Sequence, residues 1–241
     1  MKQTWLIMGM PITVVIEDRA ANAQVFQNIH DYFQSVDTKY SPFKSDSEVS
    51  RINDGLPEAE WPEEMKHILK LCEQTKQQTS GYFDGFRDGK LDPSGLVKGW
   101  AIQQAAELLH SMGFKQFYID AGGDVQANGR EWKVGIRNPF DSDEIIKVLS
   151  VKDLGVATSG TYIRGQHIYN PIDDKQINDI ASLTVIGPKI YEADRFATAA
   201  FAMGRSGIEF MESLDGFEAY MIDLNQQATL TSGFNQYVEA A

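Results

Sequence analysis

The chain has 241 residues, 34 of them acidic and 22 basic, for a formal net charge of −12. An excess this acidic leaves no sequence-wide footprint for nucleic acid, and any phosphate-bearing ligand would need a cation supplied locally, by a metal or by placed Lys and Arg. The hydrophobic share of 42% allows a sizeable core, and no apolar run reaches the roughly 18 residues of a membrane-spanning helix.

Residues 5–17 are rich in Ile, Val and Thr and predict a first strand kinked at Pro11. Val25, Phe26, Ile29, Phe33 and Val36 recur at helical spacing within 21–36. Residues 41–46 have loop composition. A clear helix is expected over 62–79, with Pro62 in its first turn, one stripe of Met65, Ile68, Leu69 and Cys72, and Gly81 past its end. Another helix is expected over 98–112, stopped by Gly113. Short strand-like runs follow at 116–119, 132–136, 145–151, 155–158 and 182–186. Helices return at 191–203 and 206–214, and strands at 218–223 and 228–231 close the chain. Helices and runs of strands are partly segregated, which argues α+β over a doubly wound parallel sheet. No repeat or linker interrupts the chain, so one domain over 1–241 is expected. Cys72, the single cysteine, falls on an apolar helix face and reads as a packed thiol. The first ten residues lack the long apolar centre of a signal peptide. That points to a cytoplasmic protein, or to a mature form whose leader has been removed.

Four segments carry chemistry. In 92–101, small residues precede a helix whose first turn would hold Lys98, an arrangement that suits an anion, while a carbonyl near Gly95 could face a hard cation. In 119–124, a strand runs into Gly122-Gly123 flanked by Asp120 and Asp124, a tight turn or a close backbone approach to a ligand. In 157–171, His167 stands in a polar, turn-rich stretch, whereas His30, His67 and His110 lie in helical stretches. It is therefore the candidate for proton transfer. In 192–200, Asp194 and Thr198 sit four apart on a helix and project from one face. A carboxylate plus a hydroxyl is the hard-oxygen ligation that Mg²⁺ prefers, although an acid at a helix start and a packed Thr would look the same.

In this order, and together with Met8-Gly9-Met10, the run from Ser41 to Asn53 and Gly81-Tyr82-Phe83-Asp84, these segments resemble the ApbE family of FAD:protein FMN transferases. The resemblance runs from about Met8 to Gly204. It implies an α+β fold of mostly antiparallel sheets packed with helices. It also implies Mg²⁺ held by Asp194, Thr198 and the Gly95 carbonyl, with FAD as substrate. FAD contacts would fall on Met8, Phe43, Tyr82, Phe83, Asp84, Asp92, Lys98 and the Ile168 region. His167 matches the histidine of the family's His-Ile-x-x-Pro element, where a catalytic role beside Asp194 is expected. The family attaches FMN by a phosphoester bond to a Thr or Ser of an acceptor protein and releases AMP. An FAD pyrophosphatase and a non-catalytic FAD carrier are the rival readings, and the Asp194/Thr198 pair speaks against the carrier. Three departures stand out: Met10 where the family has Thr, Pro93-Ser94 where apolar residues or glycine are usual, and no export or tether signal. Neither the acceptor nor the oligomeric state is legible.

Overall fold

The computed structural model describes residues 1–160 and 168–239, the Ser142 side chain excepted. The chain opens with a hairpin, β1 (Lys2–Ile7) and β2 (Met10–Ile16), rather than the single kinked strand expected. The reversal falls at Met8 and Gly9, with φ of 56° and 70°. Those angles suit a two-residue turn that matches the strand twist. Pro11 simply sits in β2 opposite Leu6. Ile12, Val14 and Ile16 alternate inward on β2 and are fully buried.

Next comes α1 (Ala23–Tyr40), whose Asn22 side chain accepts from the amides of Gln24 and Val25. A short α2 (Glu48–Asn53), capped by Ser47, was not expected. The predicted stripe is seen on α3 (Glu63–Gln78), where Met65, Ile68 and Cys72 are buried. Burial pushes the Cys72 thiol up to about 12, as befits a packing residue. A small ribbon, β3 (Phe86–Arg87) with β4 (Lys90–Leu91), leads into α4 (Ser94–Ser111).

After α4 run β5 (Phe117–Ala121), β6 (Asp124–Asn128), the long hairpin β7 (Trp132–Asn138) with β8 (Asp141–Val151), and β9 (Leu154–Gly160). A second small ribbon, β10 (Tyr169–Asn170) with β11 (Lys175–Gln176), precedes β12 (Ile180–Gly187). The chain closes with α5 (Ile190–Ala202), α6 (Gly207–Glu212), β13 (Glu218–Asp223) and β14 (Ala228–Leu230).

The main sheet has eight strands in the order β1-β2-β5-β6-β9-β12-β13-β14, and every neighbouring pair is antiparallel. The fold is thus α+β, with helices gathered on one face. That face buries a large core from Phe26 and Ile29 of α1, Leu96 and Ile102 of α4 and Phe201 of α5. The β7–β8 hairpin covers the other face through a smaller cluster that includes Trp132, Val134, Leu149, Ile222 and Phe234. Among the described residues no helix is long and apolar enough to cross a membrane.

Candidate active site

Helix α5 lies against α4 and against the two central strands β9 and β12, and this packing builds the site. Gly99 makes the close approach possible. A Cβ there would stand 2.6 Å from Asp194 Cβ and 3.0 Å from the Ile190 carbonyl. Through that gap the Gly99 amide donates to Asp194 Oδ2 at 2.7 Å. In a regular helix the same amide serves the carbonyl four residues back, that of Gly95. The Gly95 oxygen accepts from Thr198 Oγ1, at 3.5 Å. Asp194, Thr198 and the Gly95 carbonyl therefore converge at the α4–α5 seam, a carboxylate, a hydroxyl and a carbonyl of the kind hard cations take. Among the described residues no three His, Cys, Asp or Glu side chains cluster as a metal site.

Alanine at Gly99 gains up to about 1 kcal/mol of helix propensity. It also forces backbone and side chain of α5 inside contact distance, and overpacking of this kind costs about 1–3 kcal/mol. Gly99→Ala is expected to unfold at lower temperature than the parent and to lose activity. Equal or higher thermal stability would mean that the seam is loose.

Lys98 bridges two carboxylates, pairing with Asp124 Oδ2 and standing 3.3 Å from Asp194 Oδ1. Asp124 had been legible only as an acid beside paired glycines. It starts β6, is buried, and its Oδ1 also accepts from the Thr158 amide at 3.1 Å. The other acid of that turn, Asp120, closes it by accepting from the Gly123 amide at 2.9 Å. Gly122 and Gly123 have φ of 63° and 99°, which an ordinary side chain would resist. Burial pushes the Asp194 carboxyl above the usual carboxylate range; Lys98 pulls it back and Asp124 adds to the rise.

The cleft above this seam takes in Phe83, Asp84, Asp92, Gly95, Lys98 and Ile168, all expected from the sequence. Phe83 flanks Gly95, where an added Cβ would meet its ring at 3.3 Å. Asp84 is held by Lys76 at 2.7 Å and by the Phe86 amide at 2.9 Å. Asp92 accepts from the Ser94 amide at 3.1 Å and so occupies the start of α4. That helix begins at Ser94, earlier than expected, so Lys98 lies in its second turn. The carboxylate of Asp92 thus takes one of the amides at the start of that helix.

Three expected FAD contacts stand outside the cleft lining. Met8 lies in the β1–β2 turn, Tyr82 packs against the core, and Phe43 is 93% exposed. His167 lies outside the described residues. Gly122, Thr158–Gly160 and Tyr169, from segments the sequence had marked, also line the cleft, as does Arg87, which no motif had singled out.

Known proteins resemble the chain in sequence and in fold. The FAD:protein FMN transferase of Vibrio cholerae serotype O1 is 26% identical over 166 residues, 63% of this chain and 48% of that protein. The Escherichia coli K12 protein of the same name is 22% identical over 274 aligned positions, covering 85% of this chain and 78% of its own. The chain spans about half the length of the first relatives it matches. The solved flavin transferase ApbE from Vibrio cholerae superposes with a TM-score of 0.85 at 19% identity over 98% of both chains. The ApbE protein from Thermotoga maritima gives 0.88 at 20% identity, covering 100% of this chain and 99% of that one. The ApbE family model matches residues 8–87 and 85–221, nearly the whole of the described fold, and the chain belongs to that family.

Proposed function

We propose that this chain transfers the FMN moiety of FAD to a Thr or Ser hydroxyl of an acceptor protein, with Mg²⁺ as cofactor, and releases AMP. The observation that carries the reading is the meeting of Thr198 Oγ1, the Gly95 carbonyl, Asp194 and Lys98 at the floor of one cleft. FAD bears its negative charge on a pyrophosphate, and a chain of net charge −12 must offset that charge locally. Asp194, Thr198 and the Gly95 carbonyl would hold the magnesium ion. When bound, it would offset charge on the phosphate oxygens as the pyrophosphate bond breaks.

The chain's own groups do the rest. Lys98, fixed between Asp124 and Asp194, adds positive charge beside the phosphates. Phe83 walls the seam at Gly95. The acceptor oxygen bonds to the FMN phosphorus and gives its proton to His167. The bond from that phosphorus to the bridging oxygen breaks, and the bridging oxygen leaves with AMP, carrying the electron pair.

Chromatography of the nucleotide products tests this. With FAD and Mg²⁺, AMP should form only when an acceptor is present, and free FMN should not accumulate. AMP with equimolar free FMN in the absence of acceptor would make the chain a pyrophosphatase. Tight FAD binding with no AMP under any condition would make it a carrier.

The chain is not expected to modify itself. Family acceptors carry Asp, two residues, Ser or Thr, a small residue, Ala, and Ser or Thr. The nearest run here, residues 153–158, has Val156 where a hydroxyl is required. Most of that run also lies in β9, which is paired on both sides, to β6 and to β12. Intact mass after incubation with FAD and Mg²⁺ should show no added FMN; a stoichiometric increment contradicts this.

A further inference from the structure

Two cations line the cleft among the described residues, Lys98 and Arg87, and they stand in opposite electrostatic situations. Lys98 is half-buried and held between two carboxylates. Arg87 is exposed, and among the described residues it has no carboxylate within ion-pair distance. It sits on the β3–β4 ribbon, between Asp84 and Asp92 of the cleft. Its guanidinium carbon stands 4.0 Å from the centre of the Tyr169 ring. Tyr169 begins the β10–β11 ribbon, between the cleft residues Ile168 and Pro171. This pair brings the two ribbons together at the cleft.

A guanidinium laid over an aromatic face is held in orientation while its N–H edge stays open. That edge matches the paired oxygens of a phosphate and binds them bidentately, which a lysine cannot do. We propose that Arg87, seated on Tyr169, grips the phosphate of the adenylate half of FAD and holds it as AMP departs. This rests on the flavin-transfer reading for the identity of its ligand. Lys98, Thr198 and the Gly95 carbonyl gather at the α4–α5 seam, where the FMN phosphorus would react. Arg87 enters the same cleft from a different element, the β3–β4 ribbon, and is exposed. Bond breaking leaves a second negative charge on the departing phosphate, and an unpaired guanidinium at that point favours it. Arg87 lies outside the segments that carry the family resemblance, and Tyr169 occupies one of the two unspecified positions of the His-Ile-x-x-Pro element.

The test is equilibrium binding of FAD, AMP and FMN to the parent, Arg87→Ala, Arg87→Lys, Tyr169→Phe and Tyr169→Ala proteins, with circular dichroism to confirm folding. Charge-assisted hydrogen bonds of this type are worth a factor of about ten to a hundred in affinity. Arg87→Ala should weaken AMP and FAD by that factor and leave FMN within about twofold. Arg87→Lys should recover only part of the loss. Tyr169→Phe should bind as the parent does, and Tyr169→Ala should fall between parent and Arg87→Ala. Unchanged AMP affinity in Arg87→Ala, equal losses for AMP and FMN, or a parent that does not bind AMP would each overturn the proposal. If the parent binds AMP but transfers no FMN, the transferase reading fails while the Arg87 assignment is still decided by the binding data.

Discussion

Asp194→Asn is expected to slow FMN transfer by about a thousandfold or more while FAD affinity stays within a few fold. The amide keeps the volume of the carboxylate at a buried seam and can still accept from the Gly99 amide, so α4 and α5 remain together. Lys98 retains Asp124 as its partner. What disappears is the anionic ligand of the proposed metal site. Asp194→Ala should lose as much activity and more stability, because it also empties the contact with Gly99. Single-turnover AMP release at saturating Mg²⁺ measures the effect. A variant that keeps more than about a tenth of parental activity would remove Asp194 from the metal site.

His167→Ala is expected to slow transfer by about a hundredfold to ten-thousandfold, the usual contribution of a general base, with FAD affinity within a few fold. The other three histidines are committed elsewhere. His30 meets the Trp5 ring and Asp31, His110 meets Phe117 and Asn128, and His67 rides on α3. No imidazole lines the cleft among the described residues, and His167 is the residue proposed as base. The parental rate should fall on the acid side as the imidazole takes up its proton. If His167→Ala loses FAD binding and regains full turnover at saturating FAD, the residue binds substrate and does not move a proton.

The parts of the fold legible in the sequence are those set by local periodicity. The α3 stripe buries the face that its residue spacing reveals, and the short apolar run of β12, bounded by turn residues, is buried throughout. The parts that were missed depend on partners far away in the chain. Residues 5–17 look like one strand because Pro11 is the visible breaker, whereas the true reversal uses a methionine in a left-handed conformation. Strand β6 carries Asp124, Gln126 and Asn128, too polar to announce itself, and is buried only because β5 and β9 flank it. The start of α4 is hidden by Pro93-Ser94-Gly95, residues of loop character that the seam with α5 draws into a helix. The same holds in the site. Asp194 and Thr198 are readable as a pair because one helix spaces them. The Lys98–Asp124 pair joins α4 to β6, and Arg87 meets Tyr169 across two ribbons; neither leaves a local pattern.

The most direct test of the central claim is tandem mass spectrometry of a peptide that carries the family's acceptor motif, after incubation with the chain, FAD and Mg²⁺. The expected result is an FMN increment on the motif's Ser or Thr, matched by an equimolar amount of AMP, and absent with chelator or with Asp194→Asn. An unmodified peptide beside stoichiometric AMP and free FMN would contradict it.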